Sequence, residues 1–318
     1  MYTLTCNVAI GNYRFRQVNY VEINSSSKTI GDTAIIRLPR LGSRIKDVIK
    51  TGDPVIIRLG YAGVYEGDEF TGYVSRVKPN IPFEIECEDS LFWFKRTNIS
   101  QTWRNTTLKE VVSVLAQETN DKNGTSIKLN GDIPDIGFDK FRLNNVSAAK
   151  ALRKIKDEYG LSVYFRGDNL HAGLAYTESL GEVNHSMAYN VIKSDLAYRN
   201  PEDRKVKVKA IGIAKDNSRV EVETGDANGE LRTLFFYNLI DRSKLKVLAE
   251  EEIKKKKAGR FDGNFTTFLV PYARHGMTTN LVDPDHGGRV GRYYIDAVKT
   301  TFGSSGARRV VEPGLLLS

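Results

Sequence analysis

The stretch GDPVIIRLGYAGVYEGDEFTGYVSRVKPNIPFEIECEDS, Gly52 to Ser90, decides the fold class. Val55, Ile57 and Leu59 alternate with Ile56 and Arg58, a period of two that sends one set of side chains to a core face. Gly60 to Asp68 is a Gly-rich connection. Phe70, Tyr73, Val74 and Val77 follow as a second strand, and Asn80-Ile81-Pro82 turns the chain into a third. There Phe83, Ile85 and Cys87 alternate with Glu84, Glu86 and Glu88, as in a sheet wet on one side only. No catalytic constellation sits in the stretch. It reads as a β-built structural module, and the question becomes what it assembles with.

Working outward, residues 1–98 read as nearly all β, with strands at Tyr2–Ala9, Tyr13–Ile23, Thr33–Leu38, Pro54–Gly60, Glu69–Lys78 and Phe83–Glu88. Leu41–Ile49 reads as a short helical turn. Six short strands broken by Gly, Pro and Asp predict a small barrel or sandwich. The texture changes near Asn98. Thr107-Leu108-Lys109-Glu110 is a capping-box pattern, and Leu108, Val111, Val112, Leu115 and Ala116 lie on one helical face. Ser147 is the expected N-cap of a second helix that turns Ala148, Ala151, Leu152, Ile155 and Tyr159 inward and ends at Gly160. Leu161–Phe165 and Leu170–Leu174 form a hairpin around Gly167-Asp168-Asn169. From about Ala188 the chain is β again, at Val206–Ile213, Arg219–Thr224, Leu231–Tyr237, Gly263–Val270, Gly288–Thr301 and Ala307–Val311. One helix, about Ser243 to Lys257, interrupts it.

The expected fold class is therefore α+β, mostly β: two small β-barrel domains with a small α+β domain inserted between them. The boundaries are 1–98 for the first barrel, 99–187 for the insert, and 188–318 for the second barrel with its one helix. Letter-by-letter repetition between the two β segments is weak, so the repeat is architectural.

Composition bounds the function classes. A chain of 318 residues exceeds one typical core and predicts two or three domains. Cys6 and Cys87, each in an expected strand, read as reduced, buried thiols and not as a disulfide framework. No apolar run reaches the ~20 residues that span a membrane, so no membrane insertion is expected. MYTLTCNVAI lacks a basic n-region and does not read as a signal peptide. The net charge of +8 is spread as excesses of two, one and five over residues 1–98, 99–180 and 181–318. Both signs are interspersed outside one lysine run, a solubility pattern more than a nucleic-acid footprint.

His171, His185, His275 and His286 are far apart, and no metalloprotease or nucleophile-elbow motif appears. Asp283-Pro284-Asp285-His286-Gly287-Gly288 admits two readings, a turn and an oxygen-ligand metal loop; it lacks the further ligands of a calcium loop. Asp53, Asp68 and Glu69 are either acidic turn residues or a carboxylate pair for glycoside hydrolysis, which would need a cleft. Lys254-Lys255-Lys256-Lys257 complements a helix C-terminus or meets an acidic partner or passing DNA. Phe92-Trp93-Phe94, beside Lys95 and Arg96, and Phe235-Phe236-Tyr237 read either as a base-stacking platform or as a seam between domains or subunits. As strand residues, adjacent aromatics would point to opposite faces, which favours the seam.

Gly52-Asp53-Pro54-Val55, Gly60-Tyr61, Phe70-Thr71-Gly72-Tyr73-Val74 and Ile85-Glu86-Cys87-Glu88-Asp89 together resemble the first barrel of tailed-phage baseplate hub proteins, the late control protein D family, related to hubs of contractile injection and type VI secretion systems. Thr107-Leu108, Val146-Ser147-Ala148-Ala149-Lys150-Ala151-Leu152, Tyr159-Gly160-Leu161 and Val163-Tyr164-Phe165 resemble the family's inserted domain. Gly291-Arg292-Tyr293-Tyr294-Ile295-Asp296-Ala297-Val298 and the Gly303–Gly306 turn resemble its closing strand and hairpin. The resemblance implies two tail-tube-like barrels per subunit and a homotrimeric ring of pseudo-six-fold symmetry that adapts a tail tube to a central spike. It implies no catalytic, cofactor-binding or metal residue, and no cofactor. Implied partners are the tail tube protein, a separate spike protein and the tape-measure protein, with DNA passing through the lumen unread. The implied location is the virion tail, assembled in the bacterial cytoplasm. The rival readings are a single-stranded nucleic-acid-binding barrel protein and a cell-wall hydrolase or wall-binding module.

Overall fold

The computed structural model describes residues 3–39, 48–174, 180–199, 205–257, 260–285, 287 and 290–317. The first segment contributes β1 (Leu4–Ile10), β2 (Tyr13–Phe15), β3 (Tyr20–Ser26), β4 (Thr33–Leu38), β5 (Pro54–Tyr61), β6 (Tyr65–Lys78), β7 (Phe83–Glu88) and the short helix α1 (Leu91–Arg96). The middle contributes β8 (Asn98–Thr107), α2 (Leu108–Asn123), β9 (Lys128–Asn130), β10 (Gly137–Ser147), α3 (Ala148–Tyr159), β11 (Leu161–Arg166) and β12 (Asn169–Leu174). Next come β13 (Glu182–Ser186), β14 (Val191–Ser194), β15 (Ala197–Arg199), β16 (Val206–Ile213), β17 (Arg219–Gly225), β18 (Glu230–Tyr237) and α4 (Arg242–Lys257). The chain ends with β19 (Arg260–Asp262), β20 (Phe265–Thr267), β21 (Thr278–Val282), β22 (Gly291–Gly303) and β23 (Gly306–Leu316). The fold is α+β and mostly β. Most of the helical turn expected at Leu41–Ile49 lies outside the described residues.

One sheet holds both β segments, in the order β14-β20-β23-β22-β3-β4-β7-β6-β5-β1-β2, with β13 and β21 attached beside β22. No closed barrel is found among the described residues. Within this sheet a spatial order repeats: β1-β5-β6-β7-β4-β3 in the first module and β13-β21-β22-β23-β20-β14 in the second. The repeat extends to hydrogen bonds. Gly52 N donates to Val74 O (2.8 Å) and Val74 N to Asp53 O (2.9 Å); Gly276 N donates to Ile295 O (3.1 Å) and Ile295 N to Met277 O (2.9 Å). Gly52 and Gly276 both take positive φ, +95° and +88°, which a side chain would strain.

Alternation in sequence becomes alternation in burial. Val55, Ile57 and Leu59 of β5 and Phe83, Ile85 and Cys87 of β7 are buried, joining Val8, Ile10, Ile36 and Val74 in the first core. The second core gathers Val183, Phe265, Leu281, Ile295, Val298 and Val311. A third core lies under α1, α2 and α3 and takes in Ile211 and Ile213 of β16. The opposite face of β16, Val206, Val208 and Ala210, packs on Leu245 and Ala249 of α4. The sheet β17-β16-β18 thus stands apart from the large sheet and is wedged between α4 and the helical core.

Both anticipated helix starts are present. Thr107 Oγ1 accepts from Glu110 N (3.2 Å) while Glu110 accepts from Thr107 N (2.9 Å), and Ser147 Oγ accepts from Lys150 N (3.3 Å). Gly124 and Gly160 end α2 and α3 in the left-handed region. The aromatic run Phe92-Trp93-Phe94 departs from expectation: it lies in α1, not in a strand. The cause is Asp89, whose carboxylate accepts from Leu91 N (2.9 Å) and turns the chain out of β7.

Gly160 and Gly124 make a controlled comparison. A Cβ at Gly160 would come 2.1 Å from the Phe235 ring, whereas one at Gly124 meets nothing within 4 Å. Gly124→Ala is expected to cost only the left-handed strain, about 1–2 kcal/mol. Gly160→Ala should cost at least about 1 kcal/mol more, because overpacking is added to that strain. Urea unfolding of the two variants side by side measures the difference.

Candidate functional site

The sequence elements that meet at the centre of the molecule form a seam between the two β modules. The edge of β3 adds antiparallel to β22, from Tyr20 opposite Gly303 to Ser26 opposite Ala297. Ser27 N extends the ladder to Asp296 O at 2.9 Å. On the wet face Lys299 reaches across it to Glu22 (2.9 Å), and Lys28 reaches Glu312 (2.7 Å). Ion pairs this exposed contribute at most about 1 kcal/mol each. Beneath the ladder the charges are dry, and there they matter more.

The first dry cluster is Glu69 with Arg309. In the β5–β6 ladder Ile57 faces Phe70 and Arg58 faces Asp68, so Glu69 is an extra residue, a β-bulge. The bulge breaks the alternation and buries Glu69 beside Phe70. From the other module Arg309 of β23, 1% exposed, gives two parallel bonds to Glu69, at 2.9 and 3.0 Å. Arg309 also donates to Leu269 O (2.8 Å), Ala273 O (3.2 Å) and Thr300 Oγ1 (3.3 Å), and Tyr65 donates to Glu69 (3.0 Å). Burial opposes the charge on Arg309, but the Glu69 carboxylate outweighs it and holds the guanidinium above its ordinary range. Fork and carboxylate fit bidentately, the strong geometry for such a pair.

The second cluster joins three parts of the chain at Asp32. Arg274 binds Asp32 Oδ2 through Nη2 (2.5 Å) and Nε (3.2 Å), Arg166 approaches it from β11 (3.4 Å), and Ser25 donates to it (3.0 Å). Arg166 also donates to the His275 carbonyl, and Lys156 of α3 donates to Ser27 O (2.6 Å). Burial opposes ionisation of Asp32, but the guanidinium charges hold its carboxyl below the ordinary range. Asp89 accepts from Asp32 N (2.6 Å) and is pushed up to about 7, by burial first and by the Asp32 charge second. His275 is pushed down to about 3, by burial and then by Arg166, so its ring is neutral at ordinary pH.

Ser25, His275 and Asp32 are the residue types of a hydrolytic triad, but their geometry is not one. Ser25 Oγ meets His275 Nδ1 at 2.6 Å, and Asp32 lies 3.7 Å from that same nitrogen. A triad needs serine and carboxylate on opposite ring nitrogens. Since Ser25 spends its proton on Asp32, Nδ1 of the neutral ring is the donor to Ser25, and Nε2 is buried without a partner. All three side chains are buried. The cluster is a structural interlock.

The other candidates do not converge. Asp53 accepts from Lys50 N (2.8 Å), Asp68 pairs with Arg58 on the surface (2.8 Å), and Glu69 belongs to Arg309. Among the described residues no group of three or more His, Cys, Asp or Glu is placed to hold a metal ion. Asp283 accepts from Asp285 N (3.0 Å), a turn contact, while His286 and Gly288 lie outside the described residues. His185 is buried against Thr279 (2.7 Å), and His171 stacks on Tyr164. Cys6 and Cys87 are free and buried, and burial raises both thiols. Phe92 and Phe94 are buried, with Arg96 covering the Phe92 ring at 3.5 Å, so neither face is open to a base. Phe235 and Tyr237 face α3, where Tyr237 donates to Tyr159 O; the seam reading fits them. The lysine run ends α4, and its side chains lie outside the described residues. No helix of the described residues is long and apolar enough to cross a membrane.

Sequence reasoning did not find Arg309, Arg274, Arg166 or Asp32. One signal was legible: Tyr73-Val74-x-x-Val77-Lys78 matches Tyr294-Ile295-x-x-Val298-Lys299, the two strands whose hydrogen bonds repeat.

Two measurements test the interlock. Arg309→Met is expected to cost about 3–5 kcal/mol by stranding Glu69, and the double variant with Glu69→Leu should recover most of that loss; urea midpoints decide. For pH, a buried neutral histidine makes the unfolded chain bind more protons below 6.5, its ordinary value. His185, pushed down to about 4, acts the same way. Both therefore lower stability as pH falls from 6.5, while Asp89, raised to about 7, works in the opposite direction. His275→Asn keeps a donor to Ser25 and removes one titration. It should flatten the acid slope by up to about 1.4 kcal/mol per pH unit between pH 6 and 4.

No protein-family model and no curated protein matches the chain. Solved structures do. The prophage MuSo2 43 kDa tail protein from Shewanella oneidensis superposes with a TM-score of 0.63 at 14% identity, covering 98% of this chain and 97% of that one. The tail protein from Neisseria meningitidis MC58 gives 0.63 at 12% identity, covering 98% and 96%. The E. coli c3393 protein, a component of the type VI secretion system with structural similarity to the T4 bacteriophage tail proteins gp27 and gp5, gives 0.62 at 10% identity, covering 100% and 77%. Over nearly its whole length the chain shares its fold with phage tail proteins and a type VI secretion component, in keeping with the baseplate-hub resemblance of its sequence.

Proposed function

We propose that the chain is a structural hub of a phage tail or baseplate, or of a related injector. Three copies form a ring with pseudo-six-fold symmetry that adapts the tail tube to a central spike. The observation that carries this reading is the doubled strand order within one sheet: each copy offers two similar modules, so three copies offer six. Closed cyclic assembly is the common solution for identical subunits. A permanent ring of this kind buries on the order of 2,000 Å² or more at each interface. The buried charge clusters support the reading, because an adaptor must hold its two modules at one fixed angle.

The proposed division of the chain takes 1–98 and 188–318 as the two β domains, each to be closed as a barrel in the assembly, and 99–187 as the insert, except that β13 (Glu182–Ser186) pairs with β21 and so goes with the second β domain. Residues 205–257 are then an insertion between β15 and β19. The proposed role is not enzymatic: the buried carboxylates serve arginines, and the serine–histidine cluster lacks the order that acyl transfer needs. The proposed partners are further copies of the chain, the tail tube protein, the spike protein and the tape-measure protein, with DNA passing through the lumen without sequence recognition. The proposed location is the virion tail, after assembly in the host cytoplasm.

Light scattering of the purified protein without ligand is expected to give three times the chain mass, and projection images down the axis six similar lobes. A monomer at micromolar concentration would overturn the reading. Salt-sensitive, submicromolar binding to single-stranded DNA would favour the nucleic-acid alternative instead.

A further inference from the structure

The two modules correspond strand for strand: β1 with β13, β3 with β14, β4 with β20, β5 with β21, β6 with β22 and β7 with β23. Only the first pair differs in sense, since β1 runs antiparallel to β5 and β13 parallel to β21. The ladder of β14 continues into β15. Ser194 faces Phe265, Asp195 N donates to Asn264 O (2.9 Å), and Ala197 faces Asp262. Strands β14–β15 with β19–β20 are therefore the counterpart of the β3–β4 hairpin.

Each module has an edge that reaches out and an edge that receives. The outer edge of β3 bonds residues 297–303 of β22, beyond the point where β21 leaves that strand. In the second module the equivalent outer edge, that of β14–β15, has no partner among the described residues. In the first module β5 leaves β6 at Tyr73, and residues 76–78 pair on one side only, with β7. One such junction is made inside the chain, and among the described residues both halves of a second one are without a strand partner.

We propose that the outer edge of β15, Ala197–Arg199, in one copy bonds antiparallel to residues 76–78 of β6 in a neighbouring copy, repeating between copies the part of the β3–β22 junction in which Asn24–Ser26 face residues 297–299. This rests on the ring reading above and names its interface. The register follows from the repeat. Val74 corresponds to Ile295 through their matching bonds, so Lys78 corresponds to Lys299. Tyr20 faces Arg37 where Lys193 faces Thr266, and Asn24 faces Thr33 where Ala197 faces Asp262. As Asn24 lies opposite Lys299, Ala197 lies opposite Lys78 of the neighbour. The charges agree. Lys299 pairs across the inner junction with Glu22, and the residue that corresponds to Glu22 is Asp195, a half-exposed acid that Lys193 holds at 2.9 Å within one copy; the junction would add it to Glu84 and Glu86, which hold Lys78 within the other. The junction is head to tail, the kind that closes into a ring when the rotation permits.

The test is the double variant Lys78→Cys with Ala197→Cys, oxidised as the full-length protein. Within one copy seven strand-to-strand steps of the sheet separate the two positions, an internal bond would add no chain to the band, and the native cysteines are buried. Covalent species of two and three chains are expected on a non-reducing gel, with no three-chain band from either single variant. Asp195→Lys, an exposed change that leaves the fold intact, should shift the light-scattering mass toward one chain on dilution. A three-chain mass with neither cross-linking nor an effect of Asp195→Lys overturns this edge while leaving the ring. A monomeric parent protein overturns both.

Discussion

A strand edge left bare is a row of unsatisfied donors and acceptors, and the sheet is organised by how such edges are covered. Pairing β3 with β22 covers one and makes the two modules a single surface. Once that ladder is set, the angle between the modules follows from strand twist. Glu69 and Arg309 then meet in the space between the two layers of side chains, a meeting that the bulge in β6 makes possible.

The buried charges specify more than they stabilise. Taking Glu69 and Arg309 out of water costs several kcal/mol per ion, which their attraction offsets only because nearly every donor and lone pair finds a partner. Leu269, Ala273, Thr300 and Tyr65 supply those partners. A shift of one module against the other by a single residue would leave two charges dry and unpaired, whereas an apolar seam could slide and repack. Asp32 plays the same part for the insert. Arg166 ties it to β11 and Arg274 to the loop before β21, so that three parts of the chain share one carboxylate.

Much of this was legible. The alternation in β5 and β7, the capping box at Thr107, and Ser147 with Gly160 at the ends of α3 each rest on a local rule that the structure obeys. What escaped was non-local or broke a local rule. Glu69 looked like one more acidic turn residue because the bulge that buries it shows only in the ladder. Phe92-Trp93-Phe94 looked like strand until the Asp89 carboxylate turned it into α1. Asp32, Arg166, Arg274 and Arg309 are separated by up to hundreds of residues, and no spacing rule connects them. β13 is five residues long and its one ladder is parallel, to β21, so no hairpin turn announces it.

The insertion shows why so large a departure from the repeat is tolerated. In the first module β3 and β4 are joined by the short turn around residues 27–32; in the second, the segment that holds β16, β17, β18 and α4 occupies the same position. Loop-closure entropy grows only with the logarithm of length, so a tenfold longer connection adds about 2 kcal/mol. The ladder of β14–β15 with β19–β20 runs to the base of the insertion and holds its ends together. The insert then offsets its own cost by burying Val206, Val208 and Ala210 under α4, and by placing Phe235 against Gly160 and Tyr237 against Tyr159. Growth at a hairpin tip leaves both strand edges untouched. The second module could therefore acquire a satellite sheet and still present the same outer edge as the first.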